Sequence, residues 1–237
     1  MKINGQSDGP VADWAKRYLA PLLFSAVMFG LIGCSERPGS LVEAKRNELS
    51  SGRDACSVAL SPVSGSEVID TEIAGWQERS RGEKPLAALE RLGWTFVEKA
   101  RESYDAGFYR LAEQSALCME SKGQGSAEAL LLRGHALHSM HRFQEAETIA
   151  RELVKQRGIP FDFGLLGDVL MDEGKFDEAV AAYQKMVDMR PDLQSYSRAA
   201  HTRWMSGDLK GAIALMRLAS ESASRSESDS SAWVYAR

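Results

Sequence analysis

The side chains in this chain that could do chemistry are three histidines, two aspartates and three cysteines. His135, His138 and His141 fall at successive i, i+3 steps, which spreads them over about a third of a helix circumference. Two of them could share a metal, but no carboxylate or thiol at ligand spacing completes the set, so they read as solvated histidines on one helix face. Asp168 and Asp172 lie one helical turn apart and read as a solvated stripe, since a calcium site needs more oxygens supplied by a loop. Cys34, Cys56 and Cys118 are too few and too scattered for a disulfide framework or a tetrahedral zinc site. Cys56 is expected to be an incidental lone thiol. The sequence carries no nucleophile elbow, Walker loop, zincin helix or dinucleotide fingerprint, so no enzymatic activity, metal or cofactor is expected.

Composition narrows the partners. A net charge of -4 and the dispersal of the 29 lysines and arginines argue against nucleic acid, which needs a basic patch to neutralise phosphates.

The elements that must position these residues begin at the N-terminus. Lys16 and Arg17 precede an apolar run from Tyr18 to Ile32, which is shorter than the ~20 residues a spanning helix needs and has the layout of a secretory signal. The run ends in Leu31-Ile32-Gly33-Cys34, which resembles the bacterial lipobox: an aliphatic residue, a variable one, a small one, then a cysteine. The resemblance implies a signal peptide over 1–33, acylation of Cys34 and a bilayer as one partner; acyl chains at ~0.8 kcal/mol per buried methylene would hold the chain without a spanning helix. It also implies the cell envelope and, where two membranes exist, the periplasmic face of the outer one, because Ser35 and not Asp follows the cysteine.

From 34 to 66 the chain is rich in Ser, Gly, Pro and charge and is expected to be a flexible tether, with a weak helix at Leu41–Leu49. Ser64 and Glu67 have capping-box spacing ahead of Val68, Ile69, Ile73 and Trp76, which predicts one amphipathic helix ending by Gly82 and then a linker to residue 92.

Beyond this the chain repeats. An aromatic or leucine stands three residues before an alanine at Tyr109/Ala112, Phe143/Ala146, Phe176/Ala179 and Leu209/Ala212, and those alanines are 34, 33 and 33 apart. Twelve residues before each alanine stands a small residue: Ala100, Gly134, Gly167 and Ala200. Such a column marks where paired helices approach most closely. Turns within the pairs fall at Asp105-Ala106-Gly107, Met140-His141-Arg142, Glu173-Gly174-Lys175 and Ser206-Gly207-Asp208, with glycine as the helix stop in three of four. Breaks between pairs fall at Gly123-Gln124-Gly125, Gly158-Ile159-Pro160 and Arg190-Pro191-Asp192, the second placing Pro160 at a helix start.

This pattern, with Gly-Lys-Phe-Asp-Glu-Ala at 174–179, Tyr183 and Pro191, resembles the tetratricopeptide repeat (TPR) family over Gly93 to Ser224. The fold class implied is all-α, a TPR-type helix-turn-helix solenoid of about four repeats after a disordered tether. The repeat domain would occupy 93–237 and be truncated at its end, where a further helix starts near Trp233. Arg203 stands where the family usually has an apolar or aromatic residue, which predicts the least secure packing in the last repeat.

The resemblance also implies a concave groove lined by the first helix of each pair. Carried over residue by residue, its lining is Trp94, Val97, Arg101 and Tyr104; Leu131, His135 and His138; Phe161, Asp168, Met171 and Asp172; then Gln194, His201 and Trp204. Aromatic, Met and polar groups together suit an extended or helical peptide. The family's Lys/Asn clamp for a C-terminal carboxylate is absent, its positions holding Val97 with Arg101, Leu131 with His135, Gly164 with Asp168 and Ser197 with His201. The expected function is a membrane-anchored lipoprotein scaffold that binds a protein or peptide. The rival reading is a regulatory part of a longer protein whose effector region lies beyond residue 237.

Overall fold

The computed structural model describes residues 55–123 and 126–223. The signal peptide, Cys34, the tether up to residue 54 and the helix expected near Trp233 lie outside them.

The described residues form a helical turn at 55–59 and nine α-helices. These are α1 (Val68–Arg79), α2 (Pro85–Ser103), α3 (Gly107–Lys122), α4 (Ala127–Ser139), α5 (Phe143–Gln156), α6 (Pro160–Asp172), α7 (Phe176–Met189), α8 (Leu193–Met205) and α9 (Leu209–Ser222). Four antiparallel hairpins follow, α2/α3, α4/α5, α6/α7 and α8/α9, with α1 packed on α2.

Local chemistry sets the boundaries. Proline opens α2 and α6, where its missing N–H costs nothing and its fixed φ suits the first turn. Ser126, Asp192 and Asp208 each accept a bond from a first-turn N–H, of Ala129, Ser195 and Gly211 respectively. Three hairpin turns repeat one geometry: a left-handed residue at His141, Gly174 and Gly207 (φ 60°, 76° and 80°). After each, the next N–H bonds back to the carbonyl five residues earlier: Arg142 to Leu137, Lys175 to Leu170, Asp208 to Arg203. The first hairpin departs from this. Gly107 is the opening residue of α3 and the left-handed position falls on Tyr104 (φ 56°).

The two repeat columns are both buried. Ala112, Ala146 and Ala179 have no exposed surface and Ala212 has 7%. Ala100, Gly134, Gly167 and Ala200 line the close approaches, where a methyl on Gly134 would sit 2.6 Å from Leu165 Cδ2 and one on Gly167 2.3 Å from Tyr183 Cε1. One core cluster, around Ile73, Leu89, Leu92, Phe96 and Leu132, fills the first half of the stack; another, around Leu137, Leu153, Val169, Leu170 and Tyr183, fills the second. Met140 packs against both and makes the stack continuous.

Three expectations need correction. The stretch before Glu67 is not wholly a tether: residues 55–59 are helical, Ala55 and Ala59 are fully buried, and Cys56 is bonded to Cys118 of α3. Gln77 reinforces this strap by donating to the carbonyls of Ala59 and Ser61, and Arg81 donates to that of Leu60. Nor is the stretch before residue 92 a linker, since α2 begins at Pro85 and buries Leu89 and Leu92. At the start of α1, the partner of Glu67 is Asp70, whose carboxylate accepts the Glu67 N–H, and not Ser64.

Candidate functional site: the face of the first helices

The first helices of successive hairpins touch directly, α2 against α4 and α4 against α6, whereas the second helices have no comparable mutual contact. The stack therefore bends toward its first helices, and the face they share is the concave one. Contacts between equivalent positions tie this face together: Arg101 to His135 and His138 to Asp172 are each 34 residues apart.

Against this face the expected lining divides in three. Arg101, Tyr104, Phe161, Asp172, Gln194 and Trp204 are exposed, Tyr104 at 94% and Trp204 at 57%. Trp94, Leu131, His135, His138, Asp168, Met171 and His201 are half-buried, forming the floor of the groove as well as packing on the core. Val97 is the exception. At 2% exposed it belongs to the core between α2 and its neighbours and lines nothing, because it lies a turn before Arg101 on the inward side of α2.

The histidines are not uniformly solvated, as the sequence had suggested. His135 sits under the Trp94 ring, with centroids 5.3 Å apart, and its Nε2 accepts a bond from Arg101 Nη2 at 2.9 Å. Burial, then the charge of Arg101, pulls its pKa down to about 3, so the imidazole stays neutral and keeps the lone pair that Arg101 uses. His138 Nε2 lies 2.8 Å from an Asp172 carboxylate oxygen. His141 occupies the left-handed turn position and stacks edge-on against Phe143, off the face. Among the described residues no three His, Cys, Asp or Glu side chains gather as a metal site would require.

Asp168 is also no member of a solvated stripe. Arg198 of α8 grips it with two bonds, Nε to Oδ1 at 2.8 Å and Nη2 to Oδ2 at 2.7 Å, and the Tyr183 hydroxyl donates to Oδ1 at 2.8 Å. Burial alone would raise this carboxyl, but the charge and hydrogen bonds of Arg198 and the bond from Tyr183 outweigh it and hold it below the ordinary range. The same carboxylate pushes Arg198 up, and burial followed by Asp168 pushes Tyr183 up. The triad is thus a fixed brace from α6 to both α7 and α8. Sequence reasoning missed Arg198, although asking what neutralises Asp168 one repeat on points to it. It also missed Arg190, whose guanidinium lies 4.9 Å over the Phe161 ring.

Arg203, expected to weaken the last repeat, is accommodated by an ion pair with Asp208 at 3.0 Å. Among the described residues no helix is long and apolar enough to cross a membrane.

Comparison with known proteins agrees with this architecture. Residues 163–193 match the tetratricopeptide repeat model. A solved structure of TTC0263, a thermophilic TPR protein in Thermus thermophilus, aligns with a TM-score of 0.60 at 16% identity over 81% of this chain and 97% of its own. MamA residues 41-end from Desulfovibrio magneticus RS-1 align with a TM-score of 0.50 at 16% identity, over 74% of this chain and 94% of that one. At such identities the likeness is one of fold. No curated protein sequence matches the chain.

Proposed function

We propose that this chain, a tetratricopeptide-repeat protein, is a lipid-anchored scaffold of the cell envelope whose concave face binds a segment of a partner protein. The observation that carries the binding role is the exposure of Tyr104, Phe161 and Trp204 on the first helices of three successive or nearly successive hairpins. Aromatic side chains left uncovered at these positions contribute nothing to the core and are the type that dominates binding hot spots.

Two independent features support the envelope. One is the lipobox-like Leu31-Ile32-Gly33-Cys34. The other is the Cys56–Cys118 disulfide, a bond that persists in oxidising compartments such as the periplasm and is rare where thiols are kept reduced.

The binding role is tested by changing Tyr104 and Trp204 to Ala together and capturing partners from membranes. Binding is expected to fall while helicity by circular dichroism is unchanged, and retained binding would refute the groove. Anchoring is tested by Cys34→Ser with metabolic labelling by a fatty-acid analogue; label on the variant, or on neither form, would refute it.

A further inference from the structure

The charges along the concave face do not cancel evenly. Asp168 is neutralised by Arg198, which grips it through two bonds. Asp172 faces His138. At the other end, Arg101 is exposed, and among the described residues no carboxylate forms an ion pair with it; its one partner is the neutral imidazole of His135. A neutral acceptor orients a guanidinium without discharging it. The bond fixes one side of the fork and leaves the remaining donors facing the groove. Trp94 backs the His135 ring from below, and Tyr104, 94% exposed, stands one turn further along α2.

We infer that the partner segment carries an acidic side chain that pairs with Arg101, next to an apolar residue that lies on Tyr104. This rests on the binding role proposed above and gives that role its partner chemistry. The carboxylate accepts from the free donors of Arg101, and His135 holds the guanidinium in place from behind. The arginine is a ready cation because the chain supplies no counter-charge, and a carboxylate entering there displaces only water. Charge complementarity selects an acidic segment over a basic one, since a lysine at the same place would meet Arg101 with like charge.

The test is display selection of random 12-residue peptides on the purified full chain, on Arg101→Gln and on the Tyr104→Ala/Trp204→Ala double variant. Peptides enriched on the wild type are expected to carry Asp or Glu beside an aromatic or aliphatic residue. The winning peptide, resynthesised with Asn or Gln for its acidic residue, is expected to bind roughly 10-fold or more weakly, the scale of a charge-assisted bidentate pair. Arg101→Gln should show the same loss with the acidic peptide and no further loss with the neutral one. Winning peptides that need Tyr104 and Trp204 but show no acidic preference would overturn the Arg101 assignment while leaving the groove standing. If no peptide depends on Tyr104 and Trp204, the groove itself is wrong.

Discussion

Replacing a mid-helix glycine with alanine normally stabilises a helix by ~0.5–1 kcal/mol, because the unfolded chain loses freedom it would otherwise gain. Gly75, Gly134 and Gly167 all lie within helices, yet their surroundings dictate three different outcomes. A methyl on Gly75 would meet nothing nearer than Arg79 Nη1 at 3.7 Å, an ordinary contact, so Gly75→Ala should stabilise by the full ~0.5–1 kcal/mol. On Gly134 it would lie 2.6 Å from Leu165 Cδ2 and 3.2 Å from Ile149 Cγ2. Leu165 must move by about an ångström inside a packed core, where overpacking costs ~1–3 kcal/mol, and the helix gain offsets part of that. A net loss of ~0–2 kcal/mol is expected. On Gly167 it would lie 2.3 and 2.5 Å from the Tyr183 ring. That ring is 4% exposed and pinned at its far end by the bond to Asp168, so it can neither bend nor swing aside. The net loss should be ~2 kcal/mol or more. Urea unfolding followed by circular dichroism measures the series, with an unchanged m-value as the condition for comparing midpoints. Changing Tyr183 to Leu should remove most of the penalty of Gly167→Ala, giving a favourable coupling in the double-mutant cycle. A Gly167→Ala protein as stable as Gly75→Ala, or a cycle with no coupling, would refute the close approach of α6 and α7.

Reduction of the disulfide, or Cys56→Ser with Cys118→Ala, removes a cross-link spanning 62 residues. Loop entropy sets its contribution at ~4 kcal/mol, so a clear fall in Tm with reductant is expected, and an unchanged Tm would show the bond absent. Asp168→Ala leaves Arg198 without its counter-charge and frees the Tyr183 hydroxyl, at a cost of ~3–5 kcal/mol in urea unfolding, whereas Asp168→Leu with Arg198→Met should cost much less. For pH, the unfolded chain protonates His135 at its ordinary 6.5 while the folded chain resists down to about 3, so the unfolded state holds one more proton between these values. Stability should therefore fall with decreasing pH below 6.5, by ~1.4 kcal/mol per unit from this residue, and His135→Gln should flatten the profile by that slope. Identical profiles for the two proteins would mean that His135 is solvated after all.

The repeats could be read in the sequence because their cause is local and periodic. Each hairpin needs a small residue where its helices cross and an alanine past the turn, so Ala100, Gly134, Gly167 and Ala200 announce the register by themselves. Pro160 and Asp192 announced their helix starts for the same reason. What escaped depends on pairings that no spacing encodes. Cys56 and Cys118 meet only because the strap folds back over α1, and a polar composition disguised the buried Ala55 and Ala59. The family pattern placed Val97 on the groove, but the long α2 rotates it into the core. Asp168 looked like surface charge because Arg198 comes 30 residues later, one turn out of step with the repeat. The first turn was misplaced because glycine usually takes the left-handed position, and here Tyr104 takes it while Gly107 starts a helix.

The strap also determines how the molecule carries load. A pull applied ahead of Cys56 does not peel α1 and α2 away in sequence, because the covalent route runs from Cys56 straight to Cys118 near the end of α3. Everything between lies in a closed loop that tension bypasses, and the force first reaches non-covalent structure at the second hairpin. With the bond intact, those 62 residues stay hidden from stretching, roughly 200 Å of contour length that only a reductant would release. A protein hung from a membrane by its N-terminal end thus keeps the α2 part of its groove, Arg101 and Tyr104 included, folded while the hairpins beyond it yield.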